Sequence, residues 1–140
     1  MKKLLVIAVL FSSIVYLGSC KDECAKPMNP NGDTEISLLM RAMYEEALTA
    51  RRNIEKGKDF ELKLDYKNLL TAKGVMTDKL ESPLYKAYAE SYIAIAERLK
   101  NDLSDDRIED YKLLVDGCRK CHDVMCQGPL VLVNKLVLRE

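Results

Sequence analysis

Ile108-Glu109-Asp110-Tyr111-Lys112-Leu113-Leu114-Val115-Asp116-Gly117-Cys118-Arg119-Lys120-Cys121-His122-Asp123-Val124-Met125 is the stretch around which this chain is read. Ile108, Tyr111, Val115, Cys118, His122 and Met125 recur at steps of 3, 4, 3, 4 and 3, the spacing of one face of an α-helix. Within it, Cys118-Arg119-Lys120-Cys121-His122 is the C-x-x-C-H pattern of a c-type haem attachment site. The spacing has a chemical reason. Two cysteine sulfurs add across the two vinyl groups on one edge of a porphyrin, and the next residue then lies under the ring with a nitrogen toward the iron. Cys118 and His122 share the face of the hydrophobes, which predicts a cofactor inside a helical core rather than on its surface.

Other chemistries use similar spacing. A thioredoxin-like dithiol needs a βαβ setting, and no segment here shows strand alternation bounded by turn pairs, the C-terminal Val131 and Val133 being the one ambiguous case. A structural zinc site needs four ligands; Cys118, Cys121 and His122 with Cys126 would supply them, but adjacent Cys and His chelate one ion poorly from a helix. His122 is the one histidine of the chain, so bis-histidine ligation within it is excluded. The sixth position of an iron is then left to methionine, water, lysine or nothing.

Working outward, four periodic segments predict an all-α fold, an up-down-up-down four-helix bundle with a short C-terminal helical tail. The first is capped by Asp33 or Thr34 and buries Ile36, Met40, Met43, Ala47, Ala50 and Ile54, with Arg41, Glu45, Glu46, Arg51 and Arg52 outward; Gly57 ends it. The second runs from Phe60 to about Lys73 with Leu62, Tyr66, Leu69 and Leu70 inside, and Gly74 is its stop. A loop from Val75 to Glu81 folds back over the bundle. Ser82-Pro83 opens the third, with Tyr85, Tyr88, Tyr92, Ile95 and Leu99 as its stripe; Ser104 is the cap expected for the fourth. Gly128-Pro129 ends the fourth helix, and Leu130 to Leu138 forms the tail.

In such a bundle the start of the first helix lies beside the end of the fourth. Met40, six residues or roughly 9 Å into its helix, then sits level with His122. Met40 is therefore the candidate distal iron ligand and Met43, one turn deeper, the second choice. Either side chain is equally at home as core filling, which leaves a vacant or otherwise filled site open. Arg41, Arg119 and Lys120 are near enough in sequence to reach haem propionates, though solvated positions suit them as well.

The N-terminus reads separately. Met1-Lys2-Lys3 and the apolar run Leu4 to Leu17 make a secretory signal, too short for a confident membrane span. It closes on Leu17-Gly18-Ser19-Cys20, which resembles the lipobox of bacterial lipoproteins and implies diacylation of Cys20 and cleavage after residue 19. Residues 20–33, with two prolines and a glycine, read as a flexible tether, and 34–140 as the haem-binding bundle and tail. The chain is thus expected to be exported and anchored by lipid to a bacterial membrane, facing the periplasm or the cell surface. Of five cysteines, Cys24 and Cys126 are left over, and in an exported protein they are a candidate disulfide. Lys2 and Lys3 lie in the leader, so the mature chain carries 20 basic against 22 acidic residues, interspersed. That balance does not suggest a nucleic-acid partner.

A single C-x-x-C-H near the end of the last bundle helix, with Met40-Arg41-Ala42-Met43 on the first, resembles the cytochrome c-prime family and its bundle relatives over roughly Thr34 to Met125. The resemblance implies one haem c per chain, Cys118 and Cys121 as its thioether residues, His122 as proximal ligand, and Met40 at the distal position, as a ligand in low-spin members or a shield in five-coordinate ones. Ile36 stands where members of the family often carry an arginine near the propionates. The expected function is a membrane-anchored, non-enzymatic carrier of single electrons between redox partner proteins. The alternatives are a five-coordinate haem binding nitric oxide or carbon monoxide, and a structural helical lipoprotein without haem. A homodimer paired through helix faces is compatible with each.

Overall fold

Thr34 opens the first helix. Its Oγ1 accepts from the Ser37 amide at 3.3 Å, capping α1, Glu35–Ile54. The computed structural model describes residues 32–139; the signal, Cys20, Cys24 and most of the tether lie outside them. Glu35 in the first turn and Arg51 and Arg52 in the last complement the helix dipole. Gly57, at φ +65°, turns the chain out of the helix end, a conformation a side chain would strain.

The described residues are all-α, with three long helices and no strand. The segment expected as a second long helix is not one. Phe60 to Asp65 runs as an extended strap that closes in a 3-10 turn, Tyr66–Leu70. Phe60, Leu62 and Tyr66 are buried while Glu61, Lys63 and Asp65 are exposed, the alternation of extended chain. The Asp65 carboxylate then accepts from the Lys67 amide and starts the turn. Gly74 is not a helix stop either; it is a point of close approach, where an added Cβ would lie 2.5 Å from Ile36 Cγ2.

One helical turn follows, α2, Thr77–Leu80, from which Leu80 packs against the core while Val75 and Met76 stay exposed. Ser82 caps α3, Pro83–Lys100, accepting from the Tyr85 amide at 3.2 Å with proline at the first turn as expected. For α4, Arg107–Met125, the cap is Asp106 rather than Ser104. One Asp106 oxygen accepts from the amides of both Ile108 and Glu109 at 3.0 Å, which a hydroxyl does less well.

Helices α3 and α4 form the central antiparallel pair. Arg98, late in α3, pairs with the buried Asp110, early in α4. Tyr85, Ala89, Tyr92, Ala96 and Leu99 face Tyr111, Leu114 and Val115 in one core that also takes Met43, Ala47 and Ala50 from α1. Leu114 belongs to the buried stripe; Ile108, expected there, is about half exposed. The tail is a short helix, α5, Leu130–Val133, followed by a 3-10 turn, Asn134–Leu136. It doubles back and bridges α1 and α4. Tyr111 Oη donates to the Leu136 carbonyl at 2.8 Å and lies 3.2 Å from that of Ala47. Arg51, expected to face outward, donates to the Lys135 carbonyl, and Arg119 Nε to Asn134 Oδ1. None of these helices is long and apolar enough to cross a membrane.

Candidate haem-attachment site

Positions 118, 121 and 122 fall at i, i+3 and i+4 on α4, so the helix itself gathers the two thiols and the imidazole on one side. Cys118 packs against the core, and Cys121 and His122 are half-buried. Tyr92, from α3, packs in the core beside Cys118, within electrostatic reach of its sulfur. One helical stretch earlier on α3, Tyr85 lies within electrostatic reach of Cys121, as the antiparallel run of the two helices requires. Burial first, then the neighbouring Cys121, pushes the Cys118 thiol up to about 12. Burial likewise raises Cys121, with Cys126 adding to it.

His122 is oriented by its own helix end. Its Nδ1 lies 3.1 Å from the carbonyl oxygen of Cys126, whose amide in turn donates to the His122 carbonyl. A carbonyl only accepts, so in the neutral imidazole the proton sits on Nδ1 and Nε2 keeps its lone pair. This is the arrangement in which a histidine binds a metal, its second nitrogen tied to a backbone acceptor.

The donor set fits a covalently held haem, which takes two sulfurs and one protein nitrogen from this helix. Among the described residues no three His, Cys, Asp or Glu side chains are grouped to hold a metal ion by themselves. Among the described residues no disulfide joins Cys118, Cys121 or Cys126; Cys24, the expected partner of Cys126, lies outside them.

Met43 is buried in the core, and Met40 packs partly buried against it, as do Cys118 and Met125. The start of α1 and the end of α4 are tied to the same loop. The Ile36 amide donates to the Lys73 carbonyl at 3.0 Å, and Lys79 Nζ donates to the Met125 carbonyl at 2.8 Å. Of the expected propionate partners, Arg41 pairs with Asp33 and Lys120 with Asp116, while Arg119 holds Asn134.

The reading of the sequence missed the polar chain behind Cys118. Tyr66 and Tyr92 meet edge-on with ring centroids 5.6 Å apart. Tyr66 Oη donates to Glu46 Oε2, and Glu46 Oε1 accepts from the amides of Lys63 at 2.6 Å and Leu64 at 3.3 Å. Glu46 was expected to face outward; it instead fastens the strap to α1 and opens on a cleft of about 540 Å³ lined by Glu45, Thr49, Asn53, Phe60 and Lys63. Burial, then the bond to Glu46, holds the Tyr66 phenol well above its ordinary range. No local signal marks these residues, because the strap that joins them is a tertiary feature.

Comparison of the chain with protein-family models, with characterised proteins and with solved structures gave no match.

Proposed function

We propose that this chain is a membrane-anchored monohaem c-type cytochrome that carries single electrons, with haem c bound through Cys118 and Cys121 and its iron held by His122. The observation that carries the reading is the imidazole of His122, half-buried beside two cysteines on one side of α4, with Nδ1 spoken for by the Cys126 carbonyl and Nε2 bare. When bound, the haem supplies a one-electron couple at an iron whose potential its axial ligands tune. The chain's own residues would supply the rest: Tyr85 and Tyr92 lie on the thiol side, and the α1 stripe carries Met40, the candidate distal ligand, with Met43 as the second choice. In place of the second helix of an up-down-up-down bundle stands the strap, which covers the core at the same place in the chain order. Export, lipidation of Cys20 and a tether to residue 33 would hold the carrier at a membrane surface, within reach of redox partners.

The test is expression of the full chain in a bacterial host that attaches c-type haem, followed by mass spectrometry of the peptide spanning residues 118–122. One haem added there, lost in Cys118→Ser and Cys121→Ser, is the expected result; an unmodified peptide ends the proposal. Optical spectra of oxidised and reduced protein beside Met40→Ala then assign the distal ligand. A low-spin spectrum turned high-spin by the substitution identifies Met40.

A further inference from the structure

We propose that Tyr66, paired with Glu46, is a redox-active tyrosine: it gives up one electron to a strong one-electron oxidant while its phenolic proton crosses to the Glu46 carboxylate. Four tyrosines are buried in the core, and what each hydroxyl meets separates them. Tyr85 donates to the Leu69 carbonyl and Tyr111 to that of Leu136, both at 2.8 Å, and Tyr92 faces the Cys118 sulfur. A peptide carbonyl cannot take up a phenol proton. Tyr66 alone of the four donates to a carboxylate, and a carboxylate can.

An oxidised phenol is a strong acid, so losing the electron is far easier where a base already holds the hydrogen bond. Glu46 is such a base, its other oxygen fixed by the Lys63 and Leu64 amides. The atoms balance: the Tyr66 O–H bond breaks, an O–H bond forms on Glu46 Oε2, and the electron goes to the oxidant. When a one-electron donor re-reduces the phenoxyl, the proton returns from Glu46 Oε2 to Tyr66 Oη along the same hydrogen bond. The Tyr66 ring is 1% exposed, which keeps the radical from solvent.

The phenol is also in line with α4. Tyr66 meets Tyr92, and Tyr92 meets Cys118, so an oxidising equivalent arising on the attachment helix has a continuous packed path to Tyr66. That connection rests on the haem reading; the chemistry of the Tyr66 and Glu46 pair does not. The path makes Tyr66 a sink that spares the sulfur side chains of the core.

The experiment uses the full chain without haem, oxidised by flash-generated ruthenium(III) tris-bipyridine and followed by transient absorption and electron paramagnetic resonance. A neutral tyrosyl radical is expected, forming at a rate independent of buffer concentration because its proton acceptor is internal. Tyr66→Phe should remove most of the signal, whereas Tyr85→Phe and Tyr111→Phe should keep it. Glu46→Gln, which keeps the side-chain shape but removes the base, should slow formation about tenfold or more. A radical that survives Tyr66→Phe, a wild-type rate in Glu46→Gln, or a buffer-dependent rate in the unaltered chain overturns the proposal. Because no arm needs haem, its failure is distinct from failure to find haem on residues 118–122.

Discussion

Replacing the hydrogen of Gly74 by a methyl group would set a carbon 2.5 Å from Ile36 Cγ2 and 3.0 Å from Leu80 Cδ1. Ile36 is β-branched on a helix and has little freedom to swing away. Gly74→Ala is therefore expected to destabilise the fold by about 1–3 kcal/mol, read as a lowered urea midpoint with an unchanged slope. The sequence suggested a reason for this glycine at the wrong level: its neighbours are 38 and 6 residues away along the chain, and no local pattern reveals them. His122 is the opposite case. Its candidate role rests on its spacing from Cys118 and Cys121 in the sequence, and the structure adds the Cys126 carbonyl beside Nδ1.

The strap shows what sequence pattern can and cannot carry at the level of an element. Phe60-Glu61-Leu62-Lys63-Leu64-Asp65-Tyr66 alternates apolar and polar, a period-two signal that the strap follows, while the spacing of Leu62, Tyr66 and Leu69 points to a helix. The two patterns share residues, and only burial decides between them. The three long helices, by contrast, were legible from stripes of eighteen residues and more and from their caps at Thr34 and Ser82. What holds the strap down lies elsewhere in the chain. Arg107 donates to the Phe60 carbonyl, to the Leu99 carbonyl at 3.0 Å and to Asp102 at 3.0 Å, and its guanidinium sits 4.8 Å over the Phe60 ring. Arg107→Ala should cost about 2 kcal/mol. Amide hydrogen exchange should also quicken across residues 60–66 before it does in α3 or α4.

For the molecule as a whole, the buried acids of the core set its alkaline limit. Cys118 moves from an ordinary 9.0 up to about 12 and Tyr85 from 10.0 up to about 12; Tyr66, Tyr92 and Tyr111 are raised as well, burial leading in each. In the unfolded chain these groups release their protons first, so above pH 9 the unfolded state binds fewer protons and stability falls with rising pH. The haem-free protein should hold a constant denaturation midpoint below pH 9 and lose it progressively toward pH 12. A midpoint flat across that window would show that the core does not exclude water as described. Haem-loaded protein should fall less steeply, since a thioether at Cys118 has no proton to lose.

At this scale the all-α class was legible in the sequence, while the path of the tail was not. Leu130 to Leu138 is apolar but for Asn134 and Lys135, and it is the bonds from Tyr111 and Arg119 that reveal that it lies along the side of α4. That placement bears on the order in which the protein is completed. The segment that joins α1 to α4 comes after both in synthesis, so their seam stays unsealed until that segment has been delivered. An enzyme acting on the cysteines of α4 would meet an open half-assembled core, and the closing of the latch would come after its work.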